Sequence, residues 1–211
     1  MATPKDAAAV ILLDRPSDPL VYWVRRHAGM AFQGNFQAFP GGQRDEADGG
    51  VAVLGAAGDA SDAMRVAAVR ELFEETGVLV ARGAERLDAG ARREMRRRLV
   101  DGGEPLGALL VEHGVEVDAA LLAPAGRWVT PPFSPRRFDT WFFTAWLPEG
   151  QEVELWEGEL DSGEWLRPAE AVAAWETGRL LVAPPILHAM RTLAEGTADL
   201  EARFGSIPEA R

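Results

Sequence analysis

Cysteine is absent from the 211-residue chain and histidine is scarce, at three residues. Disulfides, thiolate metal ligands and a cysteine nucleophile are therefore excluded, and His27, His113 and His188 share no ligand spacing. Long apolar runs are missing too. Stretches such as Ala7 to Leu13 and Leu180 to Ala183 fall far short of the roughly 18 to 20 residues needed to cross a bilayer, so no membrane partner is expected. The first residues, Met-Ala-Thr-Pro-Lys-Asp, lack the charged, apolar and small-residue order of a secretory signal, which points to a cytoplasmic location. Positive charge is in short supply: 22 Lys and Arg face 33 Asp and Glu, for a formal net charge of −11. A broad basic footprint for duplex nucleic acid is thereby disfavoured. An anionic small molecule remains open, provided a divalent cation and a few arginines reverse the field in one cleft.

What is present suits one globular core: 47% hydrophobic and 26% charged residues predict a single domain over residues 1–211. Val10 to Leu13 and Leu20 to Arg25 read as a β-hairpin around the turn formers Asp14 to Pro19. A third strand is expected from Phe36 to Phe39, leading into Pro40-Gly41-Gly42, and residues Gly49 to Gly58 read as a loop. Asp59 or Ser61 can cap a helix that runs to about Thr76, with Gly77 ending it in a left-handed conformation. Two further helices are expected between Ala89 and about Leu122, a basic one (Arg92, Arg93, Arg96, Arg97, Arg98) and an apolar one (Leu106, Leu109, Leu110), as a helical insertion over about residues 85–126. Strand character returns at Trp128 to Thr130, Phe138 to Leu147, Glu152 to Leu155 and Ser162 to Leu166. Pro168 opens a helix to Glu176, and Pro184-Pro185 precede a last one to about Ala194. This order suggests a layered α/β fold.

The helix ending at Thr76 carries the candidate chemistry. At about 100° per residue from Glu71, Glu74 falls near 300° and Glu75 near 40°, while Val66, Val69, Leu72 and Phe73 lie between about 100° and 220°. Three carboxylates thus cluster opposite the apolar stripe, on the side read as facing out. Such a set costs about 0.2 to 0.5 kcal/mol per like-charged pair in a bare helix, a repulsion that a bound divalent cation reverses. Hard oxygen donors favour Mg²⁺ or Mn²⁺ over Zn²⁺.

Gly42 followed by Arg70-Glu71-Leu72-Phe73-Glu74-Glu75-Thr76-Gly77-Val78 resembles the Nudix box, G-x5-E-x7-R-E-U-x-E-E-x-G-U with U aliphatic. The second half matches at every fixed position, whereas the first half is interrupted and lacks its glutamate. Counting back from Arg70 reaches Asp62, and counting forward from Gly42 reaches Asp48. The simplest account is a 14-residue insertion with Asp62 as a shortened substitute for the glutamate, and Asp48 is the other candidate. Either would be a partner of Arg70 or a metal ligand.

The resemblance implies a Nudix fold, an α/β/α sandwich around a mixed β-sheet, and hydrolysis of a diphosphate linkage in a nucleoside diphosphate conjugate. Glu71, Glu74 and Glu75 would hold Mg²⁺ or Mn²⁺, and Arg70 would orient them. Glu159, ahead of Trp165, is similar to the distal acid of several Nudix enzymes and is the candidate general base or further ligand, with Glu157 and Glu164 as rivals. The split box, the helical insertion, the block from Trp128 to Phe143 and Pro184-Pro185 resemble the coenzyme A diphosphatase branch, the one that is Nudix-hydrolase-nineteen-like. Coenzyme A or acyl-coenzyme A is the substrate this branch implies. Arg26, Arg136, Arg137, Gly41 and Gly42 are the candidate substrate-binding residues, although Arg137 and Asp139 share a strand face and are equally read as an ion pair. Met30, Phe32 and Phe36 are read as a loop anchored in the core, or as a pocket for an acyl or base group. The basic segment from Arg92 to Arg98 reads as a solvated helix face. A homodimer is allowed for. The interrupted box also leaves open a non-catalytic Nudix scaffold that binds a nucleotide or a protein.

Overall fold

A computed structural model describes residues 2–27, 29, 35–156, 160–197 and 203. Strand β1, Lys5–Leu13, pairs antiparallel with β2, Val21–Arg26, only at Leu12 and Leu13. Beyond that point the two strands part. On the edge that β2 leaves open lies β3, Gln37–Ala38, opposite Val24 and Arg25, while β4, Gly41–Gln43, pairs with Ala7 to Ala9 of β1. Strands β3 and β4 thus fork the sheet, and the fork is where the cleft opens. On its other edge β1 pairs in parallel with β8, Phe138–Trp146, which carries β7, Ala123–Val129, antiparallel at the sheet edge. Strand β9, Leu160–Leu166, pairs with β2. The sheet is mixed, as expected.

Alternation along the strands assigns the two faces. Ala8, Val10 and Leu12 of β1 face one core, and Ala9, Ile11 and Leu13 face the other. The first core holds α1, Ala60–Thr76, with α2, Ala89–Val100, and α3, Leu106–His113; the second holds α4, Pro168–Glu176, and α5, Pro184–Ala194. The result is the α/β/α sandwich. None of the helices among the described residues is long and apolar enough to cross a membrane.

Helix α1 begins and ends as its sequence dictates. The Asp59 side chain accepts the Ser61 amide at 2.8 Å, and Gly77, at φ 70°, donates its N–H to Phe73 O. Leu72 and Phe73 are fully buried, each contributing about 1.5 to 3 kcal/mol. The helix is not two-faced, however: Arg65, Arg70 and Thr76 are buried together with its apolar residues. Its acidic side faces the cleft and not bulk solvent.

Three local expectations are corrected. The stretch Gly49 to Gly58 is not a plain loop, since it continues the 3-10 turn Glu46–Gly50 and contains β5, Val53–Leu54. β5 pairs in parallel with β6, Val117–Asp118, and Val51 packs against Gly107 of α3. The residues that interrupt the box therefore dock onto the helical pair. That pair ends at His113 and gives way to β6 and the 3-10 turn Ala119–Leu121, because Gly114 (φ 63°) stops α3. Finally, Glu152 to Leu155 is not a strand; its backbone bonds to the end of α1 instead of to a sheet.

Candidate metal centre and its cleft

At the sheet fork lies a cleft of about 1080 Å³, into which Glu71, Glu74, Glu75, Gly41, Gly42, Arg26 and Arg136 all open. Gly41 and Gly42 bring the β4 backbone against the carboxylates. The Gly41 amide donates to Glu75 Oε2 at 3.0 Å, and a Cβ on Gly42 would run into the Glu71 carboxylate. A side chain at position 42 is thus incompatible with Glu71 where it stands.

Arg70 lies beneath this layer, with 8% of its side chain exposed. Its Nε and Nη2 donate to Asp48 Oδ1 and Oδ2 at 3.0 and 3.1 Å, Nη2 also donates to Gln43 O at 2.7 Å, and Nη1 donates to Glu71 Oε1 at 2.9 Å and Glu74 Oε1 at 3.3 Å. One planar fork therefore ties the glycine strand, the 3-10 turn and two carboxylates together. The choice between the two aspartates falls to Asp48, which is 2% exposed. Asp62 accepts the Ala57 and Gly58 amides and stands 3.6 Å from Arg65, so it braces the inserted loop and does not touch Arg70. The insertion sits after Asp48, and the first half of the box is intact apart from a one-methylene shortening.

Burial pushes the Glu71 carboxyl from its ordinary 4.5 up to about 7, with Arg70 opposing the shift and Glu74 adding to it. Burial likewise raises Glu74, against the pull of Arg70. A carboxyl whose folded pKa is raised stabilises the fold fully below its unfolded value and loses that contribution as pH rises through the folded one. Relative to acid pH, where Glu71 is protonated in both states, the shift therefore lowers stability by about 3 kcal/mol at pH 8 and by less than about 1 kcal/mol at pH 5. Glu71→Gln is expected to raise the urea midpoint at pH 8 in chelator, by an increment that shrinks towards pH 5. Equal midpoints for variant and parent at both pH values would show that no such strain exists.

Among the described residues no three acidic or histidine side chains already converge on one point, because Arg70 engages Glu71 and Glu74 while the Gly41 amide engages Glu75. The donor chemistry still fits a hard divalent cation: three carboxylates, one of them strained by burial, border one cleft, and among the described residues that line it there is no histidine or sulfur ligand. Glu71, Glu74 and Glu75 are the residues that can hold it.

Other expected site residues fare differently. Arg26 and Arg136 line the cleft, and Arg26 Nε is buried with no hydrogen-bond partner among the described residues. Arg137 does not line it: its guanidinium donates to Thr130 O and Ala2 O, both at 2.9 Å. Nor does it pair with Asp139, which Arg127 takes at 2.6 Å across the β7–β8 ladder. Two of its nitrogens, Nε and Nη1, are thus turned to backbone carbonyls away from the residues that line the cleft. Glu157 and Glu159 lie outside the described residues, as do Met30 and Phe32, and Glu164 accepts from Trp23 Nε1 at 3.2 Å. Phe36 packs against the second core. Asp45 and Trp156 also border the cleft. Asp45 occupies a variable position between Gly42 and Asp48 and Trp156 lies outside the box, so the fixed positions of the pattern mark neither.

The NUDT19 Nudix domain model matches residues 52–193, and the NUDIX domain model matches residues 3–99. The crystal structure of a NUDIX hydrolase from Alicyclobacillus acidocaldarius is 30% identical and superposes with a TM-score of 0.84, covering 99% of either chain. A Caenorhabditis elegans relative carrying the name nudix hydrolase 7 is 27% identical over 208 residues, 95% of this chain. The acyl-coenzyme A diphosphatase NUDT19 of Homo sapiens is 29% identical over 146 residues, 63% of this chain. The chain spans 65% and 39% of the lengths of these two relatives.

Proposed function

This chain belongs to the Nudix family, and from that premise we propose that it is a Nudix-type hydrolase that cleaves a diphosphate linkage in a nucleoside diphosphate conjugate with the help of Mg²⁺ or Mn²⁺. The observation that carries this reading is that Glu71, Glu74 and Glu75 border one cleft beneath the Gly41–Gly42 backbone, with Arg70 fastening two of them to the buried Asp48. When bound, the divalent ion supplies charge neutralisation for the diphosphate oxygens and acidifies the attacking water. The chain's own residues do the rest. Arg70 and the Gly41 amide hold the carboxylates in place, and Arg26 and Arg136 supply positive charge at the cleft wall in an otherwise acidic molecule. On the same reading residues 1–211 act as one domain, with residues 85–126 as its insertion.

Coenzyme A or acyl-coenzyme A is the proposed substrate. The cleft is at the upper end of the volumes that hold drug-sized ligands, and Trp128, Phe133 and Phe138 make much of its wall apolar. Such a wall suits the acyl chain of an acyl-coenzyme A, while the two amides of the pantetheine arm need polar partners in the cleft. The test is a screen with Mg²⁺ and with Mn²⁺ over coenzyme A, acyl-coenzyme A, ADP-ribose, dinucleotide cofactors and nucleoside triphosphates, with products identified by mass. Expected is metal-dependent release of two phosphate-bearing products from a coenzyme A. No cleavage of any of these compounds would sink the diphosphatase reading; preferential cleavage of another would sink the coenzyme A assignment.

A further inference from the structure

An α-helix leaves its last four carbonyls without partners inside it, and in α1 those carbonyls belong to the turn that carries Glu74 and Glu75. Phe73 O accepts from Gly77 N at 2.9 Å, Thr76 O from Glu154 N at 2.8 Å and Glu75 O from Trp156 N at 3.1 Å. Glu74 O accepts from Nε and Nη2 of Arg96, in α2, at 2.9 and 2.7 Å. The remaining nitrogen of that guanidinium, Nη1, donates to Glu154 O at 2.6 Å, and its carbon lies 4.9 Å above the Trp156 ring. Arg96 is 3% exposed, so the basic run on α2 is not wholly a solvated face. Two of its neighbours reach the same segment, Arg92 through Gly150 O at 3.3 Å and Arg93 through the Glu154 carboxylate at 2.9 Å. The Gln151 side chain anchors the other end, exchanging two hydrogen bonds with the Leu79 backbone.

We infer that Arg96 is a positioning residue for the cleft: by joining the backbone of Glu74 to that of Glu154 and covering Trp156, it holds the last turn of α1 and the Trp156 wall as one unit. Trp156, Glu74 and Glu75 border the same cleft, so a shift of this joint moves carboxylates and wall together. A cation belongs at a helix C-terminus, where the carbonyl ends concentrate negative charge. The planar fork is needed as well, because one group must reach two carbonyls on different segments while lying flat on an indole, which an ammonium cannot do. Burial lowers the Arg96 pKa to about 10, which leaves the guanidinium charged at neutral pH.

The inference rests on the proposed metal role of Glu74 and Glu75. It is tested on the full chain with Arg96→Lys and Arg96→Met, and with Arg97→Lys as the control, since Arg97 pairs with Glu94 on the exposed face of the same helix. Three quantities are read: the Mn²⁺ dissociation constant by calorimetry without substrate, kcat and KM on the diphosphate cleaved best, and Tm. Arg96→Lys is expected to fold, to bind Mn²⁺ about 10-fold more weakly and to lose about 10- to 100-fold in kcat, with KM within about threefold. Arg97→Lys should match the parent in all three. Mn²⁺ binding and kcat equal to the parent in folded Arg96→Lys would overturn the inference alone. Absence of Mn²⁺ binding by the unaltered chain would overturn the metal reading and the inference with it. Should neither variant fold, deuterium exchange on the unaltered chain decides: Mn²⁺ should slow exchange at the Glu154 and Trp156 amides, and unchanged exchange despite calorimetric binding overturns the inference.

Discussion

Glu74→Gln is expected to reduce metal-dependent cleavage by about 10²- to 10³-fold while leaving the fold intact, the loss typical when one group that stabilises transition-state charge is removed. The isosteric amide keeps an oxygen for Arg70 Nη1, and the Glu74 side chain is 27% exposed, so packing barely changes. What disappears is one unit of negative charge at the cleft. Initial rates over a Mn²⁺ titration, with Tm as the control, provide the measurement. Parent-like turnover at saturating Mn²⁺ would remove Glu74 from the metal set. Glu75→Gln is the parallel experiment, since its amide likewise keeps an oxygen to accept the Gly41 N–H.

The second large effect concerns stability. Asp48→Ala should lower the free energy of unfolding by about 3 to 5 kcal/mol, because it leaves the Arg70 guanidinium buried without its main counterion. It also removes the acceptor for the Asp45 amide, which Asp48 Oδ2 takes at 2.8 Å. Asp62→Ala should cost only about 1 kcal/mol, as expected for the loss of a local loop brace. Urea unfolding in chelator separates the two. The opposite ranking would mean that Arg70 does not depend on Asp48, and the account of the split box given by the structure would fall. Asp48→Glu restores the residue type of the box pattern, and its extra methylene must be absorbed by the 3-10 turn.

The contrast between Asp48 and Asp62 also shows where pattern reading stops. Counting from either half of the box is equally valid arithmetic, and the simpler account favoured Asp62. An insertion changes the count along the chain without changing which side chains meet. Only the path of residues 49–59 decides it, and that path is held by pairing between β5 and β6, some 64 residues apart in sequence. Arg137 fell to a similar cause. Alternation placed it on one face with Asp139, but the cross-strand neighbour Arg127 holds that carboxylate, and Nε and Nη1 of Arg137 turn to two backbone carbonyls. Arg96 was legible as a charge and not as a brace, since its partners are main-chain carbonyls, which leave no mark in a sequence.

Elements set by short-range chemistry were readable from the amino acids. The β1–β2 hairpin, α1 with its Asp59 cap and Gly77 stop, the proline-led starts of α4 and α5, and the phase that puts three carboxylates on one side of α1 all follow from turn residues, caps and periodicity within a few positions. The proximity of Glu71, Glu74 and Glu75 belongs to this group, because i, i+3 and i+4 on one helix are neighbours whatever the rest of the chain does. Long-range packing decided the remainder: that the acidic face looks into a cleft and not into solvent, that Asp48 answers Arg70, and that segment 150–156 closes the end of α1. Each of these depends on which distant backbone supplies a donor, an acceptor or a low-dielectric wall. Burial then pushes the carboxyl at position 71 up to about 7, a shift that three adjacent carboxylates on an open helix would not have.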